Sequence, residues 1–336
     1  MIERVELTNF TAFKKLDMRI SPGVNVLIGP NGTGKTHLLK ILYSVLAAHK
    51  EDKRVSDKIA AVFLPKDKRI GRLVTRTRGS SAAKVKIYRN DKLLSLSFSN
   101  HTKDTVRWNK GWKGESIAKS VYIPVKEMLA NAPGFLSLYK AHDIHFEEVY
   151  ADILYNAYVP PLRGPMGRKR KRLLEMIQKV IEGKIIQKDE QFFLKNREGE
   201  LEFTLLAEGM RKLGLLWLLI QNGTLLDGSV LFWDQPEANL NPKLFGILIS
   251  ILLELHRLDI QVFLATHDYV ILKELDLRKK ETDDVAFHSL YHDTETGNIQ
   301  CHSANRYLDI HPNAIAEAFA GLYDREVKRS LGGPAQ

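Results

Sequence analysis

Eight residues near the start of the chain have the types and the spacing of a phosphate-binding loop. Residues 29–36 fit the P-loop pattern G-x-x-x-x-G-K-[ST] without a mismatch. An apolar stretch at 24–28 precedes them and an apolar helix pattern begins at His37, so the strand–loop–helix order argues against an accidental glycine-rich turn. The backbone N–H groups of such a loop and the positive end of the helix together form an anion site. The residues that we expect to bind nucleotide phosphates are Asn31, Gly32, Thr33, Gly34, Lys35 and Thr36.

A metal ion that accompanies the nucleotide would be held by two side chains. Lys35 can reach the β- and γ-phosphates, and the Thr36 hydroxyl is at the position that binds Mg²⁺. The apolar stretch 230–233 ends in Asp234, the Walker B arrangement, in which the carboxylate holds the Mg²⁺ shell opposite the P-loop threonine. A carboxylate at a strand end is common by itself. After a P-loop it indicates a site for ATP and Mg²⁺.

Three further segments carry a resemblance to a known family. Residues 206–211, LAEGMR, resemble the signature motif of ABC-type ATPases, and residues 236–242, PEANLNP, resemble their D-loop. Residues 265–268, ATHD, resemble their switch segment, with His267 as the switch histidine. The resemblance covers about residues 1–275 and points to the RecF/SMC/OLD-like group, whose compact prokaryotic members occur in antiphage systems such as Septu and PARIS.

The resemblance implies a mechanism in which two copies enclose two ATP molecules. The P-loop of one subunit would hold each nucleotide, and the signature segment of the other subunit would cover the γ-phosphate. By this resemblance Ala207, Glu208 and Gly209 are expected to contact nucleotide, with Gly209 permitting a close backbone approach. The usual signature serine is replaced by Ala207, so one hydroxyl contact is missing. His267 would sense the γ-phosphate; its alternative is an ordinary core or surface histidine.

The residue after the Walker B aspartate departs from the family pattern. The family has a glutamate that polarises the attacking water, and this chain has Gln235. A neutral amide cannot act as a general base, and losing one typically costs about 10²–10⁴ in rate. We therefore expect an ATPase that binds ATP and Mg²⁺ and hydrolyses slowly, with Gln235, His267 and Lys35 as the catalytic set. The intact flanking pattern favours an engineered trap, and a natural glutamine stays open. Glu237 is a weak candidate to replace the missing base.

Three residues are weaker candidates for the nucleotide site. Glu127 stands near the position of the family's Q-loop, where no glutamine is present. Phe10 or Phe13 could flank the adenine, and the alternative is that both are core residues.

The element pattern predicts an α/β fold of the P-loop NTPase class. We expect an ABC-type ATPase head with a mixed or parallel core sheet, an antiparallel β subdomain and a mainly helical insert. The head is expected to be split, at 1–127 and 201–312, around an insert at 128–200 that ends in a hairpin. Residues 313–336 are predicted to be a C-terminal helix and tail, with 332–336 disordered.

Charge and composition narrow the partners. The chain has 336 residues and a formal net charge of +10, which favours an acidic partner without requiring one. Within the insert, a basic run could contact nucleic-acid phosphates or be a solvated helix face: Arg168, Lys169, Arg170, Lys171 and Arg172. Cys301 is the single cysteine and no apolar run is long enough to cross a bilayer, so we expect a cytoplasmic protein without a membrane partner.

Three functions remain open. The first is an ATP-gated homodimer or higher oligomer that acts as sensor or scaffold for a separate effector, expected to be a nuclease, in antiphage defence. The second is a RecF-like recombination or repair ATPase, which the basic balance supports. The third is a transporter ATPase subunit, against which the imperfect signature and the missing Q-loop glutamine argue.

Overall fold

The structure is a computed structural model that describes residues 1–51, 53–109, 111–112, 119–142 and 144–331. The tail 332–336, predicted to be disordered, lies outside these residues. The strands are β1 (Arg4–Phe10), β2 (Phe13–Arg19), β3 (Val24–Ile28), β4 (Ala82–Arg89), β5 (Lys92–Ser99), β6 (Arg107–Asn109), β7 (Ser120–Ile123), β8 (Lys184–Lys188), β9 (Gln191–Lys195), β10 (Glu200–Glu202), β11 (Val230–Asp234), β12 (Gln261–Ala265), β13 (Val285–His292) and β14 (Ile299–Ala304). The helices are α1 (Lys35–Lys50), α2 (Val55–Phe63), α3 (Phe135–Ala141), α4 (Glu148–Ala157), α5 (Arg168–Ile181), α6 (Glu208–Gln221), α7 (Phe245–His256), α8 (Tyr269–Arg278) and α9 (Ala314–Ser330).

A six-stranded mixed sheet forms the centre of the molecule. Its strand order is β14-β13-β3-β12-β11-β7. Strands β13, β3, β12, β11 and β7 pair in parallel, and β14 adds an antiparallel edge. The P-loop strand β3 therefore lies next to β12, which lies next to the Walker B strand β11. Because parallel strands all end at the same edge, the loops after β3, β11 and β12 meet there.

Both faces of the sheet are covered, which explains why its strands read as unbroken apolar runs. Alternate side chains of β11 point to opposite sides. Trp233 packs with α6, α7 and the insert, whereas Phe232 packs with α1 and the antiparallel strands. In β12, Leu264 packs on the same side as Trp233, and Phe263 packs on the same side as Phe232. The expected α/β head is confirmed, with a core on each side of one sheet.

A second sheet is antiparallel, as expected, in the order β2-β1-β4-β5-β6. The pattern at 71–76 suggests a strand, but the structure has a 3-10 turn at Ile70–Leu73 and one isolated bridge from Val74 to Phe10. The N–H of Gly71 donates to the Thr102 carbonyl at 3.0 Å, so this segment crosses the end of β5 instead of pairing along it.

The insert contains helices α3, α4 and α5 and a small antiparallel sheet of order β10-β9-β8. The predicted hairpin is thus a three-stranded meander. It has turns at 189–190 and 196–199. Leu154 of α4 and Ile177 of α5 belong to the same apolar cluster as Leu216 and Leu248 of the head. The insert therefore shares the core of the head.

Helix α9 lies in the region 313–336, for which the sequence predicts a C-terminal helix and tail. Most of its residues are exposed, and Ile315 is its one buried residue in the described chain. Among the helices that the structure describes, none combines the length and the apolar character needed to cross a membrane.

Candidate nucleotide-binding site

The P-loop connects β3 to α1 at the carboxyl edge of the core sheet. All residues of β3 are buried, which fixes the start of the loop. The loop ends at Gly34, whose φ of 88° is in the left-handed region that favours glycine. A Cβ at Gly34 would also lie 2.7 Å from the Phe13 ring, so the turn into α1 needs glycine for two reasons. No acidic residue occupies the first turn of α1, which leaves its positive end open to an anion.

Lys35 is folded back onto its own loop. It is 7% exposed, and Nζ donates to the Gly29 carbonyl at 2.7 Å and to the Pro30 carbonyl at 2.9 Å. Burial lowers the pKa of Lys35 to about 8, and the negative charges of Asp234 and Glu237 oppose the shift. An ammonium held by carbonyls can exchange them for phosphate oxygens, which bear more charge. Thr33 is buried beside it and donates to the Pro30 carbonyl at 2.9 Å.

The two side chains expected to hold Mg²⁺ lie side by side. Thr36 Oγ1 donates to Asp234 Oδ2 at 2.9 Å. The Tyr122 hydroxyl donates to the same oxygen at 3.2 Å, from the neighbouring strand β7. Burial raises the pKa of the Asp234 carboxyl, and the two hydrogen bonds oppose that shift. A hydroxyl next to a buried carboxylate is a donor set of the kind that Mg²⁺ prefers, so these residues fit the ion.

Gln235 and His267 face the P-loop across one cavity of about 230 Å³. The backbone of Gln235 has a φ of 48°, in the left-handed region that costs a residue with a Cβ about 1 kcal/mol or more. Its N–H donates to the Ala265 carbonyl at 2.9 Å, which holds it at the end of β12. Burial and the charge of Lys35 lower the pKa of His267, which favours a neutral imidazole. The cavity lining in the described chain is Asn31, Gly32, Gly34, Lys35, Thr36, His37, Gln235 and His267.

The signature segment begins α6, away from this cavity. Ala207 is exposed at the N-cap, and the helix continues through Glu208 and Gly209. A Cβ at Gly209 would lie 2.8 Å from Leu240 Cδ1 and 3.0 Å from the Asn239 carbonyl. Gly209 therefore allows the D-loop of its own chain to approach α6. This is a different close approach from the one to a neighbour's phosphate that the resemblance suggests.

The D-loop is tied to α6 by two more contacts. Asn239 Nδ2 donates to Glu208 Oε2 at 2.9 Å. The Lys212 ammonium, 2% exposed, donates to the Ala238 carbonyl at 2.6 Å. Sequence reasoning missed Lys212 and the Tyr122 hydroxyl. Lys212 could have been noticed in the sequence, because it is a lysine in the middle of the apolar face of α6.

The weaker candidates lie outside the cavity. Glu127 is buried against α6, where its carboxylate accepts from the Leu129 N–H and pairs with Arg211 at 3.3 Å. It therefore anchors the start of the insert to the signature helix. Phe10 and Phe13 are 0% exposed, so both are core residues and neither can stack on an adenine without rearrangement.

The basic run opens α5 and is partly used inside the chain. Arg170 Nε donates to the Ile220 carbonyl at 3.0 Å, and its Nη2 donates to the Gln221 carbonyl at 2.6 Å. Lys169 donates to the Arg257 carbonyl at 3.2 Å. Arg168 and Arg172 are exposed. Arg170 thus stabilises the carboxyl end of α6, where a cation is favoured.

Comparison with known proteins agrees with this fold. Residues 24–273 match the family described as "AAA domain, putative AbiEii toxin, Type IV TA system". The head of SMC bound to the C-winged helix domain of ScpA superposes with a TM-score of 0.56 at 14% identity, covering 91% of this chain and 98% of that one. This likeness shows the fold.

Curated relatives include the DNA replication and repair protein RecF. The chain is 37% identical over 78 residues to RecF of Streptococcus suis (strain 05ZYH33), covering 23% of this chain and 21% of that protein. It is 27% identical over 192 residues to RecF of Ligilactobacillus salivarius (strain UCC118), covering 55% and 46%. The chain therefore spans less than half the length of these relatives. The match over 24–273 shows that the chain belongs to the family described as "AAA domain, putative AbiEii toxin, Type IV TA system", and the RecF relatives agree with an ABC-type ATPase of the RecF/SMC/OLD group.

Proposed function

We propose that two copies of this chain pair around ATP and Mg²⁺, and that the paired state controls a separate effector, expected to be a nuclease, in prokaryotic antiphage defence. The observation that supports pairing is the incomplete lining of the cavity. Within the described chain it includes the P-loop, Gln235 and His267, and the exposed signature residue Ala207 lies elsewhere. A second copy can supply the missing side with the N-terminus of its α6, which favours anions.

Within each site the residues have separate roles. The P-loop and Lys35 bind the phosphates, and Thr36 and Asp234 would hold Mg²⁺, which would neutralise phosphate charge. Residue 235 faces the position of the attacking water. As glutamine it can orient that water but cannot take its proton. Binding and pairing are therefore retained while turnover is slow.

A mixing experiment tests whether the sites are shared between copies. Lys35→Ala removes the phosphate contact, and Ala207→Glu places a negative charge at the exposed signature position. We expect neither variant to pair in ATP and Mg²⁺. An equimolar mixture should form dimers with one ATP each, because the P-loop of one variant and the signature segment of the other complete one site. Dimers of either variant alone, or a mixture that stays monomeric, would contradict shared sites.

The defence role rests on the family resemblance and is tested in cells. A host carrying the native locus should resist phage, and the same locus with Lys35→Ala should lose that protection. Equal plating on hosts with and without the intact locus would refute the defence part and leave the ATP-dependent pairing untouched.

A RecF-like recombination or repair ATPase is the second candidate, favoured by the RecF matches and by the net charge of +10. It requires DNA binding that falls steeply with salt. Since Lys169 and Arg170 donate to carbonyls of the chain itself and Lys171 pairs with Glu175 at 3.9 Å, Arg168 and Arg172 are the members of the run to test. Loss of DNA affinity and a smaller salt slope in the Arg168→Ala/Arg172→Ala variant would favour this function. DNA binding that is absent at low salt would remove it.

A further inference from the structure

The D-loop of this chain carries a carboxylate that binds the switch segment. Glu237 Oε1 accepts a hydrogen bond from Thr266 Oγ1 at 2.7 Å and another from the His267 N–H at 3.0 Å. One oxygen of the loop after β11 thus holds two consecutive residues of the loop after β12. Thr266 Oγ1 also accepts from the Asp268 N–H at 3.0 Å, and Asp268 caps α8 through the N–H groups of Val270 and Ile271.

Glu237 is itself fixed on both sides. The N–H of Ala238 donates to the Gln235 carbonyl at 3.1 Å, and the N–H of Leu240 donates to the Glu237 carbonyl at 3.0 Å, so the residue sits in a closed turn. Lys212 reaches the same turn from α6 through the Ala238 carbonyl at 2.6 Å. A carboxylate held this way defines where its hydrogen-bond partners lie.

The carboxyl group does not take the place of a base at the cavity. The lining in the described chain contains Gln235 and His267 and does not include Glu237. Its second oxygen, Oε2, is buried and has no hydrogen-bond partner among the residues that the structure describes. Burying a carboxylate costs free energy. The two hydrogen bonds that Oε1 accepts from the switch segment offset part of that cost.

We propose that Glu237 is the positioning residue of the switch histidine: it holds the backbone of residues 266–267 so that the His267 ring faces the γ-phosphate. This inference rests on the proposed function, which makes His267 the γ-phosphate sensor. Glu237 acts through His267 and makes no contact with nucleotide. Glu237 therefore contributes to the affinity for ATP and not to the affinity for ADP.

The test compares affinities for ATP and ADP, with Mg²⁺, in the chain as it stands. Slow hydrolysis with Gln235 allows ATP binding to be measured by calorimetry. Glu237→Ala should lower the ATP affinity about tenfold, the size of one or two lost hydrogen bonds, and leave the ADP affinity unchanged. His267→Ala should do the same. The double variant should lose no more than either single variant, because both remove one contact. Glu237→Gln keeps an acceptor at Oε1 and should retain most of the ATP preference.

Each other outcome has a definite meaning. If His267→Ala leaves ATP affinity unchanged, the sensor assignment fails and this inference fails with it. If His267→Ala weakens ATP binding and Glu237→Ala does not, the inference alone is wrong. Equal losses for ATP and ADP would make Glu237 a general structural residue. Multiplying losses in the double variant, or a Glu237→Gln loss as large as that of Glu237→Ala, would assign the effect to its charge and overturn positioning.

Discussion

At the scale of single residues, we propose that position 235 sets the rate of ATP hydrolysis. Gln235 lines the cavity with Lys35 and His267, and its backbone is left-handed with a φ of 48°. We propose that residue 235 stands where the family has its catalytic glutamate, with an amide in its place. In that proposal one side-chain atom separates ATP binding from hydrolysis, because the amide nitrogen replaces a carboxylate oxygen.

Gln235→Glu should raise the rate of ATP hydrolysis by about 10²–10⁴, since it restores a group that can accept a proton from water. Steady-state phosphate release at saturating ATP measures the change. Lys35→Ala in the Gln235→Glu background is the control and should return turnover to baseline. A rate that stays flat in Gln235→Glu would show that residue 235 is not at the water position.

At the scale of elements, one buried histidine joins three strands of the core sheet. His288 of β13 is 0% exposed; its ring nitrogens lie 2.8 Å from Ser303 Oγ of β14 and 3.1 Å from Asn25 Oδ1 of β3. Burial lowers the pKa of His288 to about 4, so the folded chain holds it neutral. Since the unfolded chain takes up this proton near pH 6.5, the stability that His288 confers is complete above that pH and is lost as the pH falls towards 4.

Acidification from pH 7.5 to 5 should therefore cost about 2 kcal/mol of unfolding free energy through His288 alone. In urea unfolding at these two pH values, His288→Asn should lose about 2 kcal/mol less unfolding free energy on acidification than the parent does. His292→Asn, at the exposed end of the same strand, is the matched control and should behave as the parent. The same acid loss in His288→Asn and the parent would contradict a neutral buried imidazole.

A second contact between elements can be tested. Arg170 of α5 donates to the last carbonyls of α6 and stabilises that helix end. Arg170→Ala should lower the unfolding free energy by about 1–3 kcal/mol, because bonds from a charged donor to a helix end are lost. Arg172→Ala, exposed on the same helix, should change it by less than about 0.5 kcal/mol. Equal effects of the two variants on urea unfolding would mean that the run is a solvated face throughout.

At the scale of the whole molecule, one sheet with a core on each face brings the P-loop, Asp234 and the switch segment to one edge. Much of this could be predicted, because the P-loop and Walker B motifs specify both the chemistry and the strand that precedes each motif. The pairing of Thr36 with Asp234 at 2.9 Å is what that spacing suggests. The division of the chain into a head at 1–127 and 201–312 and an insert at 128–200 stays a prediction. Helices α4 and α5 of the insert pack into the core of the head.

Contacts made by long-range packing could not be predicted. Tyr122 reaches Asp234 from a strand far away in sequence, and Glu237 binds a switch segment about 30 residues later. Neither contact has a periodicity or a local spacing that would reveal it. Gly209 is a related case: its motif was recognisable, but the packing of Leu240 against it was not.

The central claim is that two copies share their ATP sites, and native mass spectrometry in saturating ATP and Mg²⁺ tests it most directly. We expect a complex of two chains and two ATP molecules, and single chains when ADP replaces ATP. Single chains that each carry ATP, with no dimer at any protein concentration, would contradict the account.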